Sequence, residues 1–136
     1  MKKDYYRGQT DDGIWFYGDL KKSAGFCWIN DKLVDPNTVG QSTGLKDING
    51  KEIFEDDIID FVKDGELCDT PCFVRWHKYL TMFYTPFSYE DKPKEDDTKA
   101  SLGEMIYQHG YQVKVLGNIY DNTKLIPTYS PFFTMK

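Results

Sequence analysis

The sequence predicts an all-β fold, β-dominated with room for one short helix, and its composition carries that expectation. Ten Tyr, nine Phe and three Trp stand against only two alanines, Ala24 and Ala100. Aromatic and β-branched side chains suit a pleated, half-buried surface, whereas alanine is the residue helices favour most. Aspartate outnumbers glutamate 16 to 6, and there are 11 glycines. Both biases serve turns rather than helix interiors. At 136 residues and 15.9 kDa the chain is one domain's worth, able to bury about two-thirds of its unfolded surface without disulfides or a metal.

In chain order, Gly13 to Leu20 reads as a strand with Ile14, Phe16 and Leu20 on one side and Trp15 and Tyr17 on the other. A strand apolar on both faces belongs between layers or at a subunit contact. Phe26–Ile29 and Lys32–Val34 flank Asn30-Asp31, residue types that tolerate positive φ, and so predict a hairpin that Asp35-Pro36 ends. Asn49-Gly50 is the preferred type I′ pair and predicts a second hairpin, continued by Lys51 to Phe54. Asp57 to Val62 is the next strand, closed by Asp64-Gly65. Cys72, Val74 and Trp76 alternate with Phe73, Arg75 and His77 as in a half-buried strand, and Leu80 to Tyr84 is its neighbour. Glu90 to Lys99 holds no apolar residue and reads as a mobile surface loop. Ser101, with Glu104 three residues on, has the pattern of a capping box and predicts a short helix to Gln108. Tyr111, Val113 and Val115 then alternate with Gln112 and Lys114, and Gly117-Asn118 predicts a kink or bulge before Ile119-Tyr120.

Charge narrows the function classes. The net −5 is concentrated between Lys46 and Asp69, where nine acids face three lysines. Such a stretch repels phosphate, so duplex DNA is not an expected partner and a basic protein is. No apolar run approaches the roughly 18 residues of a membrane span. The N-terminus has no apolar signal segment, and three cysteines without export signals read as reduced cytosolic thiols. A cytoplasmic protein without a membrane partner is the expectation.

Several separated segments resemble the YopX family of phage and prophage proteins. They are Tyr6-Arg7-Gly8, Asp12 to Leu20, Val34 to Asp47, Asn49 to Glu55, and Val115 to Asn122. The similarity runs over about residues 5–122, with 63–111 poorly defined. The family usually reads Glu-Gly-Asp where this chain has Glu55-Asp56-Asp57, so Asp56 must take up any positive φ that the glycine would hold. The resemblance implies a phage-encoded protein, cytoplasmic in its bacterial host, with a β-rich fold containing an SH3-type barrel or roll. It carries over no catalytic residue. The strand–turn–strand run from Asp57 through Trp76 suits a small barrel by itself. The chain is thus expected to be one domain, 1–136, with N-terminal strands and a hairpin over 1–40. A barrel-like part follows over 41–126, with the mobile loop near 90–99.

Motifs that would carry chemistry fit poorly. Cys68, Cys72 and His77 suggest a zinc site, but Pro71 interrupts the cysteine pair and no second pair follows at finger-like spacing. Counted from Asp47, the positions where a calcium loop needs Gly and Glu hold Glu52 and Ile58. Glu55, Asp56, Asp57 and Asp60 could act as acid–base groups or magnesium ligands, but a solvated acidic strand edge explains them better. Trp15 with Tyr17, or Phe73 with Arg75, could stack single-stranded bases, although a core role accounts for such aromatics as well. The reading predicts no enzyme, no catalytic or metal residue and no cofactor. The preferred function is a non-catalytic protein-interaction or accessory module, self-associating through strands such as Ile14 to Leu20. The alternative is single-stranded nucleic-acid binding by aromatic stacking. Candidate binding residues are Trp15, Tyr17, Asp56, Asp57, Asp60 and Arg75.

Overall fold

The structure is a computed structural model that describes residues 5–78, 80–85 and 101–125; the loop expected near 90–99 lies outside the described residues. In chain order the described strands are β1 (Tyr6–Gln9), β2 (Trp15–Gly18), β3 (Leu20–Ser23), β4 (Phe26–Ile29), β5 (Lys32–Val34), β6 (Gly40–Lys46) and β7 (Glu52–Phe54). They continue with β8 (Asp57–Lys63), β9 (Glu66–Leu67), β10 (Cys72–Phe73), β11 (Arg75–His77), β12 (Met82–Tyr84) and β13 (Gln112–Asn118). The all-β expectation holds. Among the described residues the strands form separate antiparallel sheets, ordered β2-β1-β6-β7, β3-β4-β5, β10-β8-β13 with β9 beside β8, and β11-β12, and no closed barrel.

Strand β1 pairs with β2 on one side and with β6 on the other, matching Arg7 with Tyr17 and with Gly40. The run expected as one strand from Gly13 to Leu20 is instead two strands in different sheets. Gly18 makes the switch at φ 150°, where an L side chain is strained and a Cβ would collide with the Asn30 amide. That amide donates to the Tyr17 carbonyl at 2.7 Å and locks the corner. Phe16 and Leu20 still share one interior, packing with Cys27, Ile29 and Val34 under the small sheet.

The hairpin at Asn30-Asp31 forms as expected, with φ of 48° and 68°. The second hairpin forms with a longer loop than the expected type I′ turn. Only Gly50 takes positive φ, 82°, and the backbone closes from Gly50 N–H to the Asp47 carbonyl at 2.9 Å. Asp47 explains the change, because its Oδ1 accepts from the N–H groups of Asn49 and Lys51 at 2.9 and 2.8 Å. Its Oδ2 accepts from Val115 N–H at 3.0 Å and ties the loop to β13.

In the third sheet β8 is central and pairs along its length with β13, with a bulge between Val115 and Gly117 as the Gly-Asn pair predicts. Their inward side chains Ile59, Val113 and Val115 pack with Leu45, Ile53 and Leu102. The run from Cys72 to His77 divides at Val74, whose N–H donates to the Asp57 carbonyl, so β10 joins β8 while β11 pairs with β12. Strict alternation is lost there, since Phe73, Val74 and His77 are all buried. Ser101 and Glu104 complete the expected capping box: the Glu104 N–H donates to Ser101 Oγ at 3.0 Å and the Ser101 N–H to Glu104 Oε1 at 3.2 Å. The following turns widen to π geometry over Glu104–Gln108.

Candidate functional site

The turn Glu55-Asp56, between β7 and β8, is where distant parts of the chain meet. Asp56 has φ 72°, so it does take up a positive angle at the position where the family usually has glycine. Glu55 N–H donates to the Gln41 carbonyl at 2.9 Å and Asp56 N–H to that of Val74 at 2.8 Å, while the Asp56 carbonyl accepts from Ile119 at 3.1 Å. Three distant segments, at Gln41, Val74 and Ile119, therefore fix one turn.

Around it lies a dense polar centre. Arg7 is buried and donates to Asp57 Oδ1 at 2.8 Å and to the Glu55 carbonyl at 3.1 Å. Its guanidinium carbon sits 4.8 Å from the centre of the Trp15 ring and 5.0 Å from that of Phe54. Asp57 completes its bonding by accepting from Phe54 N–H at 2.8 Å. Burial raises the Asp57 carboxyl above its ordinary range, against the pull of Arg7. Glu55 is raised as well, by burial first and by the neighbouring Asp56 charge second. Asp56 faces the other way, accepting from the Tyr120 hydroxyl at 2.7 Å and lying 3.5 Å from Arg75 Nε. Burial, followed by the Asp56 charge, pushes the Tyr120 hydroxyl pKa upward.

The segment after β13 supplies the far wall. Asn118 Oδ1 accepts from the N–H groups of Tyr120 and Asp121, both at 2.9 Å, and Asn122 Oδ1 accepts from Asn118 N–H at 3.0 Å. A Cβ on Gly117 would collide with that Asn122 amide, so the bulge needs glycine. The turn presents Asp121 to Trp15 Nε1 at 2.6 Å and to Gln9 Nε2 at 2.7 Å. The Trp15 hydrogen bond is the main reason Asp121 is held below the usual carboxylate range.

Of the candidate residues, the structure brings Trp15, Asp56, Asp57 and Arg75 to this centre. Tyr17 sits on its rim, 43% exposed, its ring 5.5 Å from Phe54. Asp60 lies elsewhere, accepting from the N–H groups of Asp69 and Thr70 at 2.9 and 3.2 Å. The solvated acidic edge is overturned: Asp57 and Asp60 are each 1% exposed and Asp47 is 8% exposed. All three accept from backbone N–H groups, and Asp57 from Arg7 as well, which alternation along a strand could not reveal. Of the remaining acids in 46–69, Asp64, Glu66 and Asp69 are exposed and Glu52, Glu55 and Asp56 half-buried, alongside the exposed Lys46, Lys51 and Lys63. Sequence reasoning missed Arg7 as a site residue, because a lone arginine in a short polar strand carries no burial signal.

Cys68, Cys72 and His77, which the sequence reading set aside as a zinc site, are placed as follows. Cys68 is exposed, and Cys72 sits on β10, its thiol pushed up to about 12 by burial and by the nearby Asp60 charge. His77 is buried on β11, its ring centre 5.0 Å from that of Tyr84, and its Nδ1 accepts from Leu80 N–H at 3.2 Å. Among the described residues no three His, Cys, Asp or Glu side chains are grouped to hold a metal.

Every segment that carries the YopX resemblance supplies a wall of this centre or the loop tied to it. The family model described as YopX protein matches residues 4–127. The chain belongs to the YopX family. Comparison with curated proteins finds no match. The YopX segments thus meet in an internal polar joint whose acids are committed to structural bonds. No helix among the described residues is long and apolar enough to cross a membrane.

A second feature lies at the surface. In the β3-β4-β5 sheet, Lys21 stands opposite Trp28, Ser23 opposite Phe26, and Trp28 opposite Leu33. Side chains on this face point away from the Cys27, Ile29 and Val34 core. Phe26 is 55% and Leu33 52% exposed.

Proposed function

We propose that this chain is a non-catalytic interaction module, working in the cytoplasm of the bacterial host of a phage or prophage. The observation that carries the reading is the outward face of β3-β4-β5, where Phe26 and Leu33 remain more than half exposed beside Trp28. Apolar groups clustered on one face mark contact surfaces. The polar centre supports the same reading, since its acids bind Arg7, Tyr120, Trp15 and backbone N–H groups. Self-association through β2 and its approach fits the exposure of Ile14 and Tyr17. A basic protein partner is the weaker form of the proposal, because the 46–69 stretch exposes lysines alongside its acids. We also read 41–126 as an open SH3-type roll, supported by β6, β7, β8 and β13 wrapping one apolar cluster.

In-cell photo-crosslinking tests the module reading. A photoreactive phenylalanine analogue at position 26 or 33 should give discrete adducts that the same analogue at Lys63 does not. Equal, diffuse labelling from all three positions would remove the proposal. Light scattering at roughly tens of micromolar addresses self-association separately, where a clean monomer would exclude it.

A further inference from the structure

We infer that the outward face of β3-β4-β5 is an interface between two copies of this chain, related by a two-fold axis lying along β4. The inference rests on the module reading and names a second copy as the partner of its surface. Lys21, Trp28 and Leu33 form one row across the three strands, with Trp28 in the middle. Phe26 stands on the same side of β4, its ring 6.1 Å from that of Trp28 and inclined by 48°, so the two make one aromatic ridge. Leu33 projects on the β5 side of that ridge, 52% exposed. Beside Trp28 a depression of about 290 Å³ opens, lined by Lys21 and Ser23 of β3 and by Asp31. An axis along β4, between two facing copies, exchanges the β3 and β5 sides. It seats each Leu33 against the partner's Lys21 and Ser23, at the depression, and sets Phe26 and Trp28 against their counterparts.

Charge selects a second copy over a strongly charged partner. The ionisable side chains bordering this face are one cation, Lys21, and one acid, Asp31, on the same depression. Lys22 and Lys32 stand on the other side of the sheet, paired with Cys27 and Ile29, and the Lys32 ammonium lies 5.9 Å from the Phe16 ring. Without an excess of either sign, the face neither repels its own copy nor attracts a polyanion or a strongly basic protein. A two-fold contact requires such a patch, complementary to itself. Sheets stack face to face about 10 Å apart with their strands nearly aligned, as this axis places them. Three short strands present roughly 200 Å² of flat sheet. Even with side-chain relief, two such faces bury less than the roughly 1,200 Å² of a stable complex, so the dimer is weak, with a dissociation constant on the order of 10–100 µM.

The test is sedimentation velocity of the full chain from about 1 to about 300 µM, a range that brackets the expected constant. Expected is a mass that rises with concentration from 15.9 kDa toward twice that value. Leu33→Glu and Phe26→Glu should each weaken association by more than about tenfold, because the two-fold repeats every substitution and brings like charges into an apolar contact. Tyr17→Glu, on β2, should leave it unchanged. In a Cys68→Ser background, mixed chains carrying Leu33→Cys and Lys21→Cys should form a disulfide-linked pair under an added oxidant, faster than either variant alone. Circular dichroism matching the wild type shows that each variant is folded. A monomer at every concentration overturns the inference. So does association that is lost in Tyr17→Glu and survives Leu33→Glu. If the chain stays monomeric while position-26 crosslinks identify one other protein, the second copy is the wrong occupant and the module reading stands; if both fail, the module reading falls too.

Discussion

Arg7 is the residue on which the polar centre depends. It is 4% exposed, paired with Asp57 at 2.8 Å, and packed against two aromatic rings. Removing one member of a buried pair leaves the other charge desolvated and typically costs about 3–5 kcal/mol. Arg7→Met should therefore lower the urea midpoint sharply, and adding Asp57→Asn should recover part of the loss. A double-variant cycle with no coupling would show that the pair is dispensable. The cysteines make a second prediction at this scale. Cys68 is exposed, whereas burial and Asp60 raise the Cys72 thiol to about 12 and Cys27 is buried. At pH 8, iodoacetamide followed by mass spectrometry should label Cys68 first and leave Cys72 and Cys27 largely unmodified. Equal labelling in the folded protein would contradict that order.

At the scale of elements, the β6–β7 loop shows how a carboxylate can replace a regular turn. Asp47 holds the N–H groups of Asn49, Lys51 and Val115, and Ile48 N–H reaches the Val113 carbonyl at 2.8 Å. Buried N–H groups left without acceptors cost about 1–3 kcal/mol each. Asp47→Ala should destabilise by at least about 2 kcal/mol, with amide exchange at Val115 accelerating more than at Val62 on the facing strand. Uniform acceleration at both would mean that the loop is not locally tied. Much of this level was legible beforehand. The Asn30-Asp31 hairpin, the capping box at Ser101 and the Gly117 bulge follow from local chemistry, because φ preference and side-chain reach act within a few residues. The division of Gly13–Leu20 into two strands was not legible. Its cause is the Asn30 amide filling the space beside Gly18, a contact made from another strand.

For the whole molecule, the centre couples pH to stability. Glu55 and Asp57 have raised folded values, so each binds protons more tightly folded than unfolded. Their contribution is fully present below the ordinary carboxylate range and is lost as pH rises through the raised values. Asp121 has the opposite sign, since its lowered value gives up stability only as the solution becomes strongly acidic. Glu55→Gln should therefore be more stable than the wild type at neutral pH, and the two urea midpoints should converge toward about pH 4. A gap that widens on acidification would reverse the assigned sign. The sequence alone determined the β class, most strand positions and the family. Composition, alternation and turn chemistry are local properties, and separated motifs can be matched in order without knowing where they meet. Only the tertiary structure decided which acids are solvated. Asp47, Asp57 and Asp60 look alike in a polar run with Asp64, yet three are buried because backbone N–H groups and Arg7 arrive from elsewhere in the chain. The same holds for the aromatics: Trp15 closes an internal joint while Phe26 faces outward, because packing partners set a side chain's exposure and residue type does not.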